Sequence, residues 1–228
     1  GPVRLLGGRV AGFDRHFEDG YRLDPDAVRR AISPRTRLVV VTNTHNPSGV
    51  LASDGDLDAV ARIAEGVGAR VLVDEVYLDS VPGPPRRPAG ARSPVFITTS
   101  SLTKSYGLAG LRCGWVIAAP DVAEQVRRAR DIVDGSGALP AERLSVGAFE
   151  QLDRLAARAR GILEPNGRAV LDFLASRREV EYVPPAGGTV VFPKLRGVAD
   201  ASPFADRLAT EYDVGVVPGR FFEAPAHF

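Results

Sequence analysis

Residues 38 to 43, Leu-Val-Val-Val-Thr-Asn, form an apolar run without alternation. That is the pattern of a strand covered on both faces, as in a parallel sheet. A loop and a helix follow. Ser53 stands three residues before Asp56 in a variant of the helix-capping signature, and Leu57, Val60, Ile63, Ala64 and Val67 recur at helical spacing until Gly68 stops them. The unit then repeats, with a second buried strand at Arg70 to Asp74, a Pro/Gly/Arg loop over 82–94 and a third strand at Val95 to Thr99. Residues 113 to 118, Cys-Gly-Trp-Val-Ile-Ala, predict a fourth strand, and a helix begins near Asp121 after Pro120. Strands alternating with helices or long crossovers imply an α/β domain with a mostly parallel sheet.

From Ala141 to Ser176 the pattern is helical. Gly161 and the pair Pro165 and Gly167 interrupt it, which predicts two helices or one kinked helix. Short strands are predicted at Val180 to Val183 and Thr189 to Phe192, then a helix from Pro203 to Tyr212 and a last strand at Val214 to Val217. This mixed tail differs from the first part, so a domain boundary is placed near residue 155, between a larger unit (1–155) and a smaller α+β unit (156–228).

Composition narrows the partners. The 228 residues are 44% hydrophobic and 25% charged, enough for one large core and the start of a second. A formal net charge of +1 leaves no basic surplus to attract a nucleic-acid backbone. The clusters Arg86-Arg87 and Arg127-Arg128-Arg130 are short and read as solvated surface. One cysteine, Cys113, excludes an intrachain disulfide framework, suits a reducing compartment and reads as a small apolar strand residue. No window approaches the roughly 18 unbroken apolar residues of a membrane span, and the first residues lack a signal-peptide layout. A soluble, cytoplasmic protein is expected.

Four short segments fall where predicted strands end, the place where open α/β sheets bind ligands. Asn43-Thr44-His45-Asn46-Pro47-Ser48-Gly49 follows the first strand and, taken alone, is a turn. Asp74-Glu75-Val76-Tyr77 closes the second; an acid there is a helix cap, an ion-pair partner or a functional group, since an unpaired buried carboxylate is costly. Ser100-Ser101-Leu102-Thr103-Lys104-Ser105-Tyr106-Gly107 follows the third and offers hydroxyls and one amine in a turn, a combination suited to a phosphate and a carbonyl group together. Gly110-Leu111-Arg112-Cys113-Gly114-Trp115 puts Arg112 eight residues beyond Lys104. His45 reads as loop packing, and Trp115 as core of a buried strand.

Together these segments resemble the active-site signature of the class I/II aminotransferases, the fold type I enzymes that use pyridoxal 5'-phosphate (PLP). The likeness continues through Asn166-Gly167-Arg168, Gly187-Gly188-Thr189 and Pro218-Gly219-Arg220-Phe221-Phe222, so it covers nearly the whole chain. It implies a three-layer α/β large domain and a homodimer that transfers an amino group between an amino acid and a 2-oxo acid. It implies no metal. By the same resemblance Lys104 carries PLP as an internal aldimine and moves protons, and Asp74 keeps the pyridine nitrogen protonated. Asn46 and Tyr77 bond the phenolic oxygen, and Ser101 and Arg112 hold the phosphate. The catalytic set is thus Lys104, Asp74 and Tyr77. The family's upstream phosphate loop and ring-stacking aromatic are not found, and the sequence stops at Ala226-His227-Phe228, short of the family's carboxylate-binding arginine, so the chain reads as truncated at both ends.

Two other functions stay open. Carbon-sulfur lyases, cyclising synthases and decarboxylases share this fold and most of these residues. A non-catalytic effector-binding module of the same fold is the second, and both the retained Lys104 and the lack of a basic DNA-binding helix-turn-helix weigh against it.

Overall fold

In the computed structural model, which describes residues 2 to 228, a four-residue helix α1 (Pro2–Leu5) comes first. Helix α2 (Pro25–Ala31) starts where the Asp24 carboxylate accepts hydrogen bonds from the N–H groups of Asp26 and Ala27. Strand β1 (Leu38–Thr42) follows, and then α3 (Asp54–Glu65), capped by Ser53 Oγ on the N–H of Asp56 as its sequence predicts. Next come β2 (Arg70–Asp74), β3 (Phe96–Ser101) and β4 (Gly114–Ile117). They form one sheet in the order β1-β2-β3-β4, with the first three strands parallel and β4 antiparallel to β3. The fold is therefore α/β with a mostly parallel sheet.

Val39 and Val41, Val71 and Val73, and Phe96 point to the same face, where they pack with Val28 of α2 and Leu57, Val60 and Ala64 of α3. Each such side chain, fully buried, contributes about 1.5–3 kcal/mol. Strand β1 corrects one expectation. Leu38 and Val40 are exposed, so β1 is covered on one face and not two. The cause is placement: β1 is the edge strand of the described sheet, and α2 and α3 both lie on the Val39/Val41 side. Trp115 is half-buried, not core; it meets Phe149 edge-on at 5.3 Å between ring centroids.

Helix α4 (Pro120–Val133) holds Arg127, Arg128 and Arg130 in ion pairs with Glu124, Asp131 and Asp134 along its exposed surface. The next helical stretch divides into α5 (Leu139–Phe149) and α6 (Leu152–Ala175). The break falls at Glu150-Gln151, and α6 runs on through Gly161 and Pro165, where a break or kink was predicted. Proline removes the hydrogen bond to the carbonyl four residues back, here that of Gly161. Both residues are exposed, so water can satisfy that carbonyl. Residue 155 thus lies inside the first turns of a continuous helix.

The tail has less strand than its pattern suggests. Strand β5 (Val180–Glu181) pairs antiparallel with β6 (Lys194–Leu195), and α7 (Ser202–Tyr212) follows. Residues 189–192 and 214–217 form no strand, although both read as strands in sequence. An apolar run becomes a strand only when another backbone pairs with it, and among the described residues neither segment has such a partner. Phe192 is instead buried, stacked on the His227 ring at 4.5 Å.

Candidate active site

The three parallel strands end at one edge of the sheet, and antiparallel β4 begins there. Register fixes this closely, for Thr42 lies beside Asp74, Asp74 beside Thr99, and Ser101 beside Gly114. The four loop segments singled out in the sequence therefore leave the sheet side by side. Side chains alternate along a strand, so Asp74 shares a face with Leu72, Val40 and Ile97, opposite the α2/α3 core. Its carboxylate is half-buried and accepts one hydrogen bond, 3.2 Å from the N–H of Val76.

The loop after β1 is held from both sides. Asn43 is buried; its N–H donates to the carbonyl of Asp74 at 2.8 Å, and its Oδ1 accepts from the N–H of Ala52 at 2.9 Å. Gly49 has φ +71°, and a Cβ there would lie 2.6 Å from Cβ of Pro185, so only glycine lets this loop close against the tail. Asn46 is exposed, with its N–H bonded to Thr42 Oγ1 at 3.2 Å. His45 Nδ1 lies 2.7 Å from Ser48 Oγ and its ring packs on Tyr21, consistent with a packing role. Burial, and secondarily Arg15, push its pKa down to about 3, so the imidazole stays neutral.

Leu102, fully buried, fixes the Lys104 turn by donating its N–H to the carbonyl of Cys113 and accepting from the N–H of Leu108. Ser101 Oγ accepts from the N–H of Thr103 at 3.2 Å. Lys104 is exposed, with Nζ 5.8 Å from the centroid of the Tyr77 ring. Arg112 is exposed and left-handed at φ 52°, an uncommon state for a residue other than glycine.

All six predicted residues, Asn46, Asp74, Tyr77, Ser101, Lys104 and Arg112, thus lie along one edge. No hydrogen bond joins their side chains to one another among the described residues. Neither Lys104 nor Arg112 has an ion-pair partner there. The only other lysine of the chain, Lys194, sits 3.8 Å from Glu18 and over the ring of Phe17. An amine and a guanidinium without ion-pair partners among the described residues, hydroxyls and a carboxylate at one edge form a set that fits PLP, with its phosphate, aldehyde and pyridine nitrogen. A cavity of about 540 Å³ lies elsewhere, between the start of α3 and the Arg86-Arg87 loop, with Glu75 in its wall.

Glu75 is a buried acid beside the site. Its Oε1 accepts from the N–H of Ala89 at 3.0 Å and its Oε2 from Thr98 Oγ1 at 3.2 Å. Burial, the largest cause, pushes its pKa up from 4.5 to about 7. The folded chain therefore holds a proton that the unfolded chain releases between about pH 4.5 and 7. Stability falls as pH rises through that window and levels off above it, by on the order of 3 kcal/mol. Glu75→Gln, whose amide copies the protonated acid, should flatten this part of the curve. Urea midpoints at pH 5 and pH 8 would test it, and an equal drop in both proteins would rule Glu75 out as the source.

The family model for "Aminotransferase class I and II" matches residues 2–228. The chain belongs to this family. It is 32% identical over 207 residues to "Capreomycidine synthase" of Streptomyces vinaceus, covering 90% of this chain and 53% of that protein. It is 31% identical over 216 residues to "Probable N-succinyldiaminopimelate aminotransferase DapC" of Mycobacterium tuberculosis, covering 91% of this chain and 53% of that one. Among solved structures, a PLP-dependent aminotransferase from Streptococcus suis superposes with a TM-score of 0.88 at 28% identity, over 98% of this chain and 60% of that chain. The chain thus spans about half the length of the curated relatives it matches.

Geometry also brings in residues that the sequence reading passed over. Glu75 is one, and Ser105, Tyr106 and Asp79 are others: Ser105 Oγ donates to the carbonyl of Val76, and Tyr106 OH to Asp79 Oδ2. The sequence signal for Ser105 and Tyr106 was their hydroxyls in the turn after Lys104; their pairing with Val76 and Asp79 had none.

Proposed function

We propose that the whole protein moves an amino group between an amino acid and a 2-oxo acid with PLP as cofactor. The observation that carries this reading is the meeting, at one sheet edge, of the Asp74 carboxylate with a lysine amine and an arginine guanidinium that have no ion-pair partner among the described residues. When bound, PLP supplies an electron sink for negative charge at the substrate α-carbon. Asp74 would hold the proton on the pyridine nitrogen. Arg112 and Ser101 would hold the phosphate, Arg112 by charge-assisted hydrogen bonds. Asn46 and Tyr77 would donate to the phenolic oxygen. Lys104 would attach to the cofactor as a nucleophile and, once displaced by substrate, take the proton from the α-carbon as a base.

The same reading includes a cytoplasmic homodimer in two parts divided near residue 155. Exposed Ile132 and Val133 of α4 and Leu139, Leu144 and Val146 of α5 are apolar surface that a second copy would cover. The single cysteine, Cys113, suits a reducing compartment. No helix among the described residues is long and apolar enough to cross a membrane.

A PLP-dependent synthase that needs no acceptor is the second reading, favoured by the 32% identity to the S. vinaceus protein, whose name is that of a synthase. To separate the two, the full-length protein is incubated with PLP and a panel of amino acids, with and without a 2-oxo acid acceptor. Amino transfer predicts a new amino acid only when the acceptor is present. A product formed from one amino acid alone, at the same rate without acceptor, would overturn amino transfer in favour of the second reading.

A further inference from the structure

Lys104 is exposed and its amine makes no hydrogen bond among the described residues, so its position depends on the turn that carries it. On the preceding side, fully buried Leu102 is the anchor. On the following side, two buried residues reach across to the neighbouring turn. Ser105 Oγ donates to the carbonyl of Val76 at 3.0 Å, and Tyr106 OH donates to Asp79 Oδ2 at 3.0 Å. Both bonds join the lysine turn to the segment that holds Asp74 and Tyr77.

That segment is itself fixed. The N–H of Leu78 donates to the carbonyl of Glu75 and the N–H of Ser80 to that of Tyr77, while Ser80 Oγ donates to the same Tyr77 carbonyl at 2.6 Å. The Glu75 side chain then ties it to Ala89 and Thr98. A tether ending there has a firm post. Burial, with Asp79 and Asp153 adding to it, raises the Tyr106 phenol above its ordinary value, so the hydroxyl keeps its proton and remains a donor.

We propose that Tyr106 is a positioning residue for Lys104, its hydroxyl acting through Asp79 to hold the lysine turn against the Asp74–Tyr77 segment. The proposal rests on Lys104 being the amine that binds the cofactor. In that capture the amine adds to the aldehyde carbon, a C=N bond forms and water leaves. A held amine reaches the aldehyde with fewer conformations to search, so loosening it slows capture without changing the chemistry.

The test uses the full-length protein freed of cofactor, with Tyr106→Phe, Asp79→Ala, Asp79→Asn and the double variant Tyr106→Phe/Asp79→Ala. The rate of PLP capture is followed by its absorbance band, and amide exchange at Gly107 and Leu108 reports the turn without cofactor. Tyr106→Phe keeps the ring and its packing. It should slow capture about 3- to 10-fold, the size of one net hydrogen bond, and speed exchange at both amides. Asp79→Ala should do the same, and the double variant should be no slower than the slower single, as for two ends of one contact. Asp79→Asn should be rescued, since its amide oxygen still accepts from the phenol. Capture by Tyr106→Phe at the wild-type rate, or additive losses in the double variant, would overturn the tether while leaving Lys104 in place. Borohydride reduction that leaves wild-type Lys104 unlabelled would overturn both.

Discussion

Lys104→Ala should lose nearly all amino transfer in the full-length protein, by about 10⁴-fold or more, the upper range for removing a general base that is also the attaching nucleophile. The chain has two lysines, and Lys194 is held by Glu18 and Phe17 on the short β5/β6 sheet. Among the described residues no other amine stands at the edge shared by Asp74, Tyr77 and Arg112 to take over. Lys104→Arg keeps the charge but cannot release its proton, so it should fail equally. Single-turnover measurement of the first half-reaction reads this directly. Residual rates within tenfold of wild type in either variant would mean that the chemistry runs on another group.

Asp74→Asn should lower turnover by about 100-fold or more, roughly 3 kcal/mol of charge stabilisation, while leaving PLP capture close to wild type. Asp74 sits at the end of β2 on the open face of the sheet, and its one hydrogen bond comes from the N–H of Val76. An asparagine carbonyl can accept that bond, so the turn survives the substitution. What it cannot supply is a negative charge opposite a protonated pyridine nitrogen. The loss should appear in the half-reaction rate and not in substrate KM. Half-reaction rates equal to wild type would make Asp74 a structural acid.

The sequence made the sheet legible where local pattern and partner coincide. Residues 38–43 and 70–74 read as strands, and because β1, β2 and β3 are parallel, the motifs after them had to emerge at one edge. The side-by-side placement of the six predicted residues follows from that. What the pattern could not carry was the number of faces covered. Leu38 and Val40 look as buried as Val39 and Val41 in sequence, yet they differ because both helices lie on one side. The tail failed for a related reason, since 214–217 has strand composition but no described backbone to pair with. Tyr106 and Asp79 stand 27 residues apart, and their contact exists only through the sheet that brings the two turns together. Glu75 read as one letter of a motif, while its burial depends on the loop that folds over it at Ala89.

The most direct test of the central claim is to load the full-length protein with PLP, reduce it with borohydride and map the modified peptide by mass spectrometry. The account predicts the pyridoxyl group on Lys104, in the peptide bounded by Arg92 and Arg112. A label on Lys194, or on any lysine outside this chain, would contradict it.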